Sequence, residues 1–326
     1  FMIDFGAEIL FETARFWESR LEYNICAERY ELTEVEGPDE FHELVNNSVY
    51  TNALTKWSLE QTIVNYKWLK ETHPEKLKLI SEKIQLEEGE IICWGELAKK
   101  IYIPFDEKKH LVEQFENYFE LEDVPITEWT ENGMPKYPAG YHHDNCQETM
   151  LLKQPDVLML MYVLPDMFSD QVKRANYAFY EPKTMHTSSL SPSIHSIMGV
   201  ETDHHEKALQ YFERSLYVDL IDNQGNTNDG MHIASCGGSW QALVCGFGGL
   251  RVKEEKMTFK PWLPPKWEAI SFKLKWKGDD LKVTINPKQI SFYWESKLNL
   301  PADELEIEVK STTVTLAPYQ LMTINI

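Results

Sequence analysis

Over roughly the first 250 positions the apolar residues recur at three- and four-residue steps, the period of a helix with one buried face. In "FGAEILFETARFWESRL" Leu10, Ala14, Trp17 and Leu21 share such a face, which predicts a helix from Gly6 to Leu21. The same period predicts helices from Ser48 to Glu71, Pro74 to Leu86, Gly95 to Ile101 and Lys108 to Phe119. It fails between Glu120 and Asn145, where Pro125, Gly133, Pro135, Pro138 and Gly140 predict a long loop of the kind that is usually functional or disordered. Helical spacing returns from Gln147 to Val163, Ser169 to Tyr180, Ser193 to Gly199, His205 to Leu216 and Gly230 to Gly246.

After Arg251 the period changes to two. "AISFKLKWKGDDLKVTINPKQISFYWE" alternates apolar and polar residues around a Gly-Asp-Asp turn, a hairpin signature, and "LEIEVKSTTVTLAPYQLMTINI" supplies further short strands. The expected chain is therefore mainly α over residues 1–252 and β over 253–326. Recurrent helix pairs joined by polar loops predict a toroid of helical hairpins, with a site where the loops converge.

Composition narrows the partners. A chain of 326 residues can bury a sizeable core, and its net charge of -20 argues against nucleic acid or an anionic membrane surface, both of which call for Lys and Arg. Cys26, Cys93, Cys146, Cys236 and Cys245 are odd in number and lack CxxC pairs, so they read as reduced thiols of a cytoplasmic protein. No run has the length of a membrane span or the form of a leader. The adjacent pairs His142-His143 and His204-His205 lack metal-ligand spacing, so no metal is expected.

Four segments could carry chemistry. "EGPDEFHELVNNSVYTN", Glu36 to Asn52, sets Asp39 and Glu40 on a proline-fixed turn among residues suited to reading hydroxyls; its plainer reading is an acidic cap on the helix near Asn46. "LLKQPDVLMLMYVL" places Lys153 and Gln154 at the first turns of an apolar helix, where an ammonium needs partners or must snorkel. "HTSSLSPSIHS" gathers His186, Thr187, Ser188 and Ser189 ahead of a helix beginning after Pro192, either a neutral anion cradle or an elaborate cap. "DGMHIASCGGSWQALVCGFGGLR" is glycine-rich without the spacing of a nucleotide fingerprint.

Together, and in this order, the four segments resemble glycoside hydrolase family 65, the inverting disaccharide phosphorylases, with "GAEILFETARFWESR" upstream. The resemblance implies the later part of an (α/α)6 barrel over 1–252 and a small C-terminal β-sandwich-like domain over 253–326, hence the C-terminal half of such an enzyme. It implies Glu40 as general acid, in preference to its neighbour Glu43, with Lys153 and Gln154 binding glucose. It implies phosphate binding by His186, Thr187, Ser188 and Ser189. The expected reaction is inverting phosphorolysis of an α-linked glucose disaccharide of kojibiose, nigerose, maltose or trehalose type to β-D-glucose 1-phosphate. No cofactor is expected beyond inorganic phosphate as co-substrate, and a homodimer is expected. A hydrolase would carry a second carboxylate to activate water where this chain has the serine loop; a glucosidase of the same family and a non-catalytic sugar-binding fragment are the alternatives.

Overall fold

The computed structural model describes residues 1–253, 255–297 and 304–326. Two compact units emerge, one from residues 1–128 and 135–185, the other from 129–134 and 186–326. Helices dominate up to Phe247 and strands follow. Among the described residues no helix is long and apolar enough to cross a membrane.

In the first unit a π-helical turn, Met2–Gly6, leads into α1 (Ala7–Arg20). The strand pair β1 (Glu22–Asn24) and β2 (Arg29–Glu31) follows, then α2 (Val49–Thr72), α3 (Pro74–Ile84) and α4 (Glu88–Lys100). Phe11, Leu59, Leu69, Trp94 and Leu97 form the core that these helices share. The α2 start is capped by Ser48, whose hydroxyl accepts from Thr51 N–H at 3.5 Å, so neither Asp39 nor Glu40 caps it. Helix α4 begins seven residues before the position that the apolar spacing indicated. Its start signal is the reciprocal box of Glu87 and Glu90, which satisfies two helix-end amides.

Two predicted helices are shorter or absent. From Lys108 to Phe119 the chain forms the arms β3 (Phe105–Asp106) and β4 (Leu111–Val112) and then a 3-10 turn at Tyr118–Glu120. Asp106 accepts from the N–H of Lys108 at 3.0 Å and of Lys109 at 3.1 Å, and this local turn competes with helix formation. The segment predicted helical from Gln147 becomes α5 only at Asp156–Val163. Pro155 disfavours a helical residue before it, so residues 149–154 stay outside the helix, bridged at Thr149 to Glu122 and at Leu152 to Thr184. Lys153 and Gln154 thus lie ahead of the helix. Helix α6 (Asp170–Tyr180) starts at a Ser169 cap.

The second unit contains α7 (Ser191–Glu201), α8 (His205–Leu216) and α9 (Ile233–Gln241), the last continuing into a π-helical turn at Ala242–Phe247. Its strands are β5 (Leu250–Lys253), β6 (Lys256–Phe259), β7 (Ile270–Trp276), β8 (Asp279–Asn286), β9 (Gln289–Glu295), β10 (Leu305–Val309), β11 (Thr312–Leu316) and β12 (Leu321–Asn325). They form two four-stranded sheets, ordered β11-β10-β6-β5 and β12-β9-β8-β7. Alternate residues Leu281, Val283 and Ile285 of β8 face inward, and Phe259 meets Phe292 across the sheets at 5.1 Å between ring centroids. The β7–β8 turn is Lys277-Gly278, with φ of 49 and 97, which matches the twist of a two-residue hairpin. Asp279 belongs to the strand because its buried carboxylate accepts from Trp294 Nε1 at 3.1 Å and Lys297 N at 2.8 Å.

Arg15 clasps the first unit. It grips Glu90 through both carboxylate oxygens at 2.6 and 2.9 Å and caps the Ile84 carbonyl at 2.9 Å. The guanidinium hydrogen bonds hold the Glu90 carboxyl below its usual range. Such stabilisation is present above the unfolded carboxyl value of about 4.3 and is lost as pH falls through the lower folded value. Glu90→Gln retains the capping box and removes the charge, so it should destabilise the protein by about 1 kcal/mol at neutral pH, the pair being partly exposed. Thermal melts at pH 7 and pH 3 check this: the deficit should be full at the first and smaller at the second.

Candidate functional site

The turn Gly37-Pro38-Asp39-Glu40 is built around one buried side chain. Asp39 is 1% exposed. Its Oδ1 accepts from Lys153 N–H at 2.7 Å and, at 3.4 Å each, from the N–H groups of Gln154 and Phe41. Its Oδ2 meets His42 Nδ1 at 2.6 Å and accepts from Gln114 Nε2 at 3.0 Å. His42 Nε2 lies 2.8 Å from the Thr149 carbonyl, which can only accept, so that nitrogen carries a hydrogen. The His42 ring sits 5.0 Å from Phe115 and 5.9 Å from Tyr118, a dry aromatic box.

Beneath the turn lies a second buried carboxyl, Asp156, at the start of α5. Burial, reinforced by the Asp39 charge, pushes Asp156 well above the usual carboxylate range and so favours its neutral form. A Cβ placed on Gly37 would overlap Asp156 Oδ2, which explains a glycine where backbone and carboxyl meet.

Glu40 emerges from this base with its side chain half exposed. Lys153 Nζ lies 2.5 Å from Glu40 Oε2, while Gln154 Nε2 donates to Glu40 Oε1 at 2.8 Å and to the Pro38 carbonyl at 2.5 Å. His143 Nε2 is 3.5 Å from the same ammonium. Residues 113 positions apart thus form one cluster: a reachable carboxylate, a cation and an amide. The neighbouring Asn47 and Asn52 are buried and bonded inward, Asn47 to Glu116 at 2.9 Å and Asn52 to the Tyr102 carbonyl at 2.8 Å, so they hold the fold and do not read hydroxyls.

His186, Thr187, Ser188 and Ser189 lie in the second unit, ahead of α7, which starts at Ser191 with Pro192 in its first turn. His186 has φ of 52 and a buried ring, with Nδ1 2.6 Å from Ser191 Oγ and Nε2 3.0 Å from the Tyr211 hydroxyl. Burial drives this imidazole well below its usual value, so it is neutral. Thr187 Oγ1 is out of contact with solvent and has no hydrogen-bond partner among the described residues. Ser188 Oγ accepts from Leu190 N–H at 3.2 Å.

The sequence reading passed over two constellations. Asp39, weighed as a helix cap, is the hub of the turn; Gln114, 75 positions away, carried no local signal. In the second unit Asp219 Oδ1 holds His232 Nδ1 at 2.5 Å, and Asp219 Oδ2 accepts from His232 N–H at 2.8 Å, immediately before α9. That pairing fixes the imidazole ring, and only the fold brings the two loops together.

Residues 1–241 match the glycosyl hydrolase family 65 central catalytic domain, and residues 250–316 match the family's C-terminal domain. The chain is 50% identical over 292 residues to a kojibiose phosphorylase of Caldanaerobacter subterraneus subsp. tengcongensis, covering 89% of this chain and 38% of that protein. It is 35% identical over 318 residues to an α,α-trehalose phosphorylase of Thermoanaerobacter brockii, covering 94% of this chain and 41% of the relative. A solved structure from the human microbiome, provisionally named a kojibiose phosphorylase, superposes with a TM-score of 0.86 at 30% identity, covering 100% of this chain and 42% of that one. The chain therefore spans well under half the length of each.

Because burial raises Asp156 above its unfolded value, the wild-type protein loses stability as pH rises from the unfolded carboxyl value toward the raised folded one. Asp156→Asn removes that loss while keeping an acceptor oxygen. The melting temperature of the variant relative to wild type should be higher at pH 7 than at pH 4. Gly37→Ala, in contrast, should cost about 1–3 kcal/mol at either pH, because the buried carboxyl must be displaced.

Proposed function

Because this chain belongs to glycosyl hydrolase family 65, we propose that it carries the acid and the phosphate loop of an inverting disaccharide phosphorylase acting on kojibiose. The observation that carries the reading is the half-exposed Glu40 carboxylate held between Lys153 and Gln154. Relatives named kojibiose phosphorylases at 50%, 47% and 42% identity support the choice of linkage over maltose, nigerose and trehalose. The same reading takes residues 1–252 as the later part of an (α/α)6 barrel and 253–326 as the C-terminal β domain. It places them in a cytoplasmic homodimeric enzyme whose co-substrate is phosphate and which uses no cofactor.

The mechanism follows from the groups present. Glu40 gives its proton to the glycosidic oxygen as the C1–O bond breaks, and a phosphate oxygen bonds to C1 from the opposite face. The products are β-D-glucose 1-phosphate and the released sugar. Phosphate is already an anionic nucleophile, so no second carboxylate is needed to activate it. Proton donation requires the Glu40–Lys153 pair to open; a glucosyl unit whose hydroxyls accept from Lys153 and Gln154 would exchange for Glu40 and leave it free to meet the leaving oxygen.

On the phosphate side, Thr187, Ser188 and Ser189 supply hydroxyl donors and α7 its N-terminal dipole. His186 is neutral and bonded through both ring nitrogens, so its part is to shape the loop that receives the anion.

The test is sugar release by the full-length protein from kojibiose, maltose, nigerose and trehalose, with and without inorganic phosphate. Glucose 1-phosphate should form from kojibiose only with phosphate. Glucose release at equal rates in both would make the protein a hydrolase, and binding without turnover a sugar-binding protein. Glu40→Gln should lower kcat by at least about 10³-fold while sugar binding is retained. Ser188→Ala with Ser189→Ala should raise the KM for phosphate about 10- to 100-fold, two hydrogen bonds to a charged group being lost.

A further inference from the structure

The hydrogen bonds around Glu40 close into a ring. Starting at the Glu40 carboxylate, the path runs through the side chains of Lys153 and Gln154 to their backbone amides. From there it passes to Asp39 Oδ1, which accepts from both, and returns to Glu40 along the main chain. The two segments, more than 100 positions apart, are thus registered to each other by one buried carboxylate. We propose that Asp39 is the positioning residue that sets Glu40 and the Lys153-Gln154 pair at working distance, a role resting on the phosphorylase reading above.

The other contacts of Asp39 explain why the anchor is rigid. Its second oxygen is taken by His42 and Gln114, and His42 is itself tied to the Thr149 carbonyl, three positions before Leu152 on the same run as Lys153. Residue 39 is thereby bonded to both ends of the 149–154 segment. A shift of either segment breaks hydrogen bonds around side chains buried from solvent, so the register is maintained by the cost of an unmade buried bond. Reacting groups lose much of their effect when misplaced by about 1 Å, on the order of 10²-fold.

The ring also predicts which replacement is tolerated. An asparagine at 39 keeps an oxygen for the Lys153 and Gln154 amides and turns an NH2 toward His42 and Gln114. His42 with its hydrogen on Nε2 then accepts at Nδ1. Gln114 can turn its Oε1, which has no partner among the described residues, to the same group. Alanine offers none of this.

Three measurements on the full-length protein test the proposal. Asp39→Ala should lower kcat with kojibiose about 10²-fold, while Asp39→Asn stays within about tenfold of wild type. With α-D-glucosyl fluoride, whose leaving group needs little proton assistance, the alanine defect in kcat should shrink to about tenfold, because displacement of Glu40 then matters less. The Lys153 and Gln154 amides should exchange with deuterium faster in the alanine variant than in wild type. Asp39→Ser, with a polar group of shorter reach, takes the place of alanine if that variant does not fold, with the same expected order.

Wild-type kcat in Asp39→Ala or Asp39→Ser, an equal defect on fluoride and disaccharide, or unchanged amide exchange overturns the proposal. Should the wild-type protein make no glucose 1-phosphate at all, the phosphorylase reading fails. Amide exchange then decides by itself whether Asp39 holds the Lys153-Gln154 segment, and unchanged exchange overturns that too.

Discussion

The first unit depends on one polar side chain kept out of water. Asp39 sits 1% exposed in a protein whose net charge is -20, and it is held there because donors converge on both of its oxygens. A buried carboxylate without them would cost several kcal/mol. With them it becomes the most specific contact of the unit, since three separate stretches of chain must arrive together to satisfy it. Around it the main chain takes conformations that local preference would not choose: Leu44 and Asn47 are left-handed, with φ of 52 and 55. Gly37 lies where any side chain would strike Asp156.

The two carboxyls of this region lie in different environments. Asp39 is surrounded by N–H donors, whereas Asp156 lies in a place where its Oδ1 has no partner among the described residues and burial favours its neutral form. Repulsion from Asp39 adds to burial in raising Asp156. Glu40, one residue beyond Asp39, escapes the same burial and meets solvent on one side and Lys153 on the other. Adjacent positions on a single turn therefore hold a buried carboxyl and an exposed one.

The second unit solves a comparable problem without charge. His186 is neutral and buried, bonded to Ser191 and Tyr211, and packs 4.5 Å from His195. A left-handed residue at the mouth of α7 costs on the order of 1 kcal/mol, and the two ring hydrogen bonds offset it. The Thr187 hydroxyl behind it is closed off from solvent, while Ser188 Oγ accepts from Leu190 N–H.

The sequence by itself determined the helices with strong apolar stripes, α2, α3, α6 and α8, within a few residues, because burial of one face every three to four residues is a local property of the chain. It likewise determined the change to strands after Arg251 and the family, through four ordered motifs. Where local bonds compete with periodicity, at Asp106 and Pro155, the stripe misled and the predicted helices shrank. Only the tertiary structure decided that Asp39 is an anchor and Glu40 the exposed carboxylate beside it, or that Gln114 and His42 serve the former. Those assignments depend on which distant donors reach which oxygen, and that information exists only once segments more than 100 positions apart are packed together.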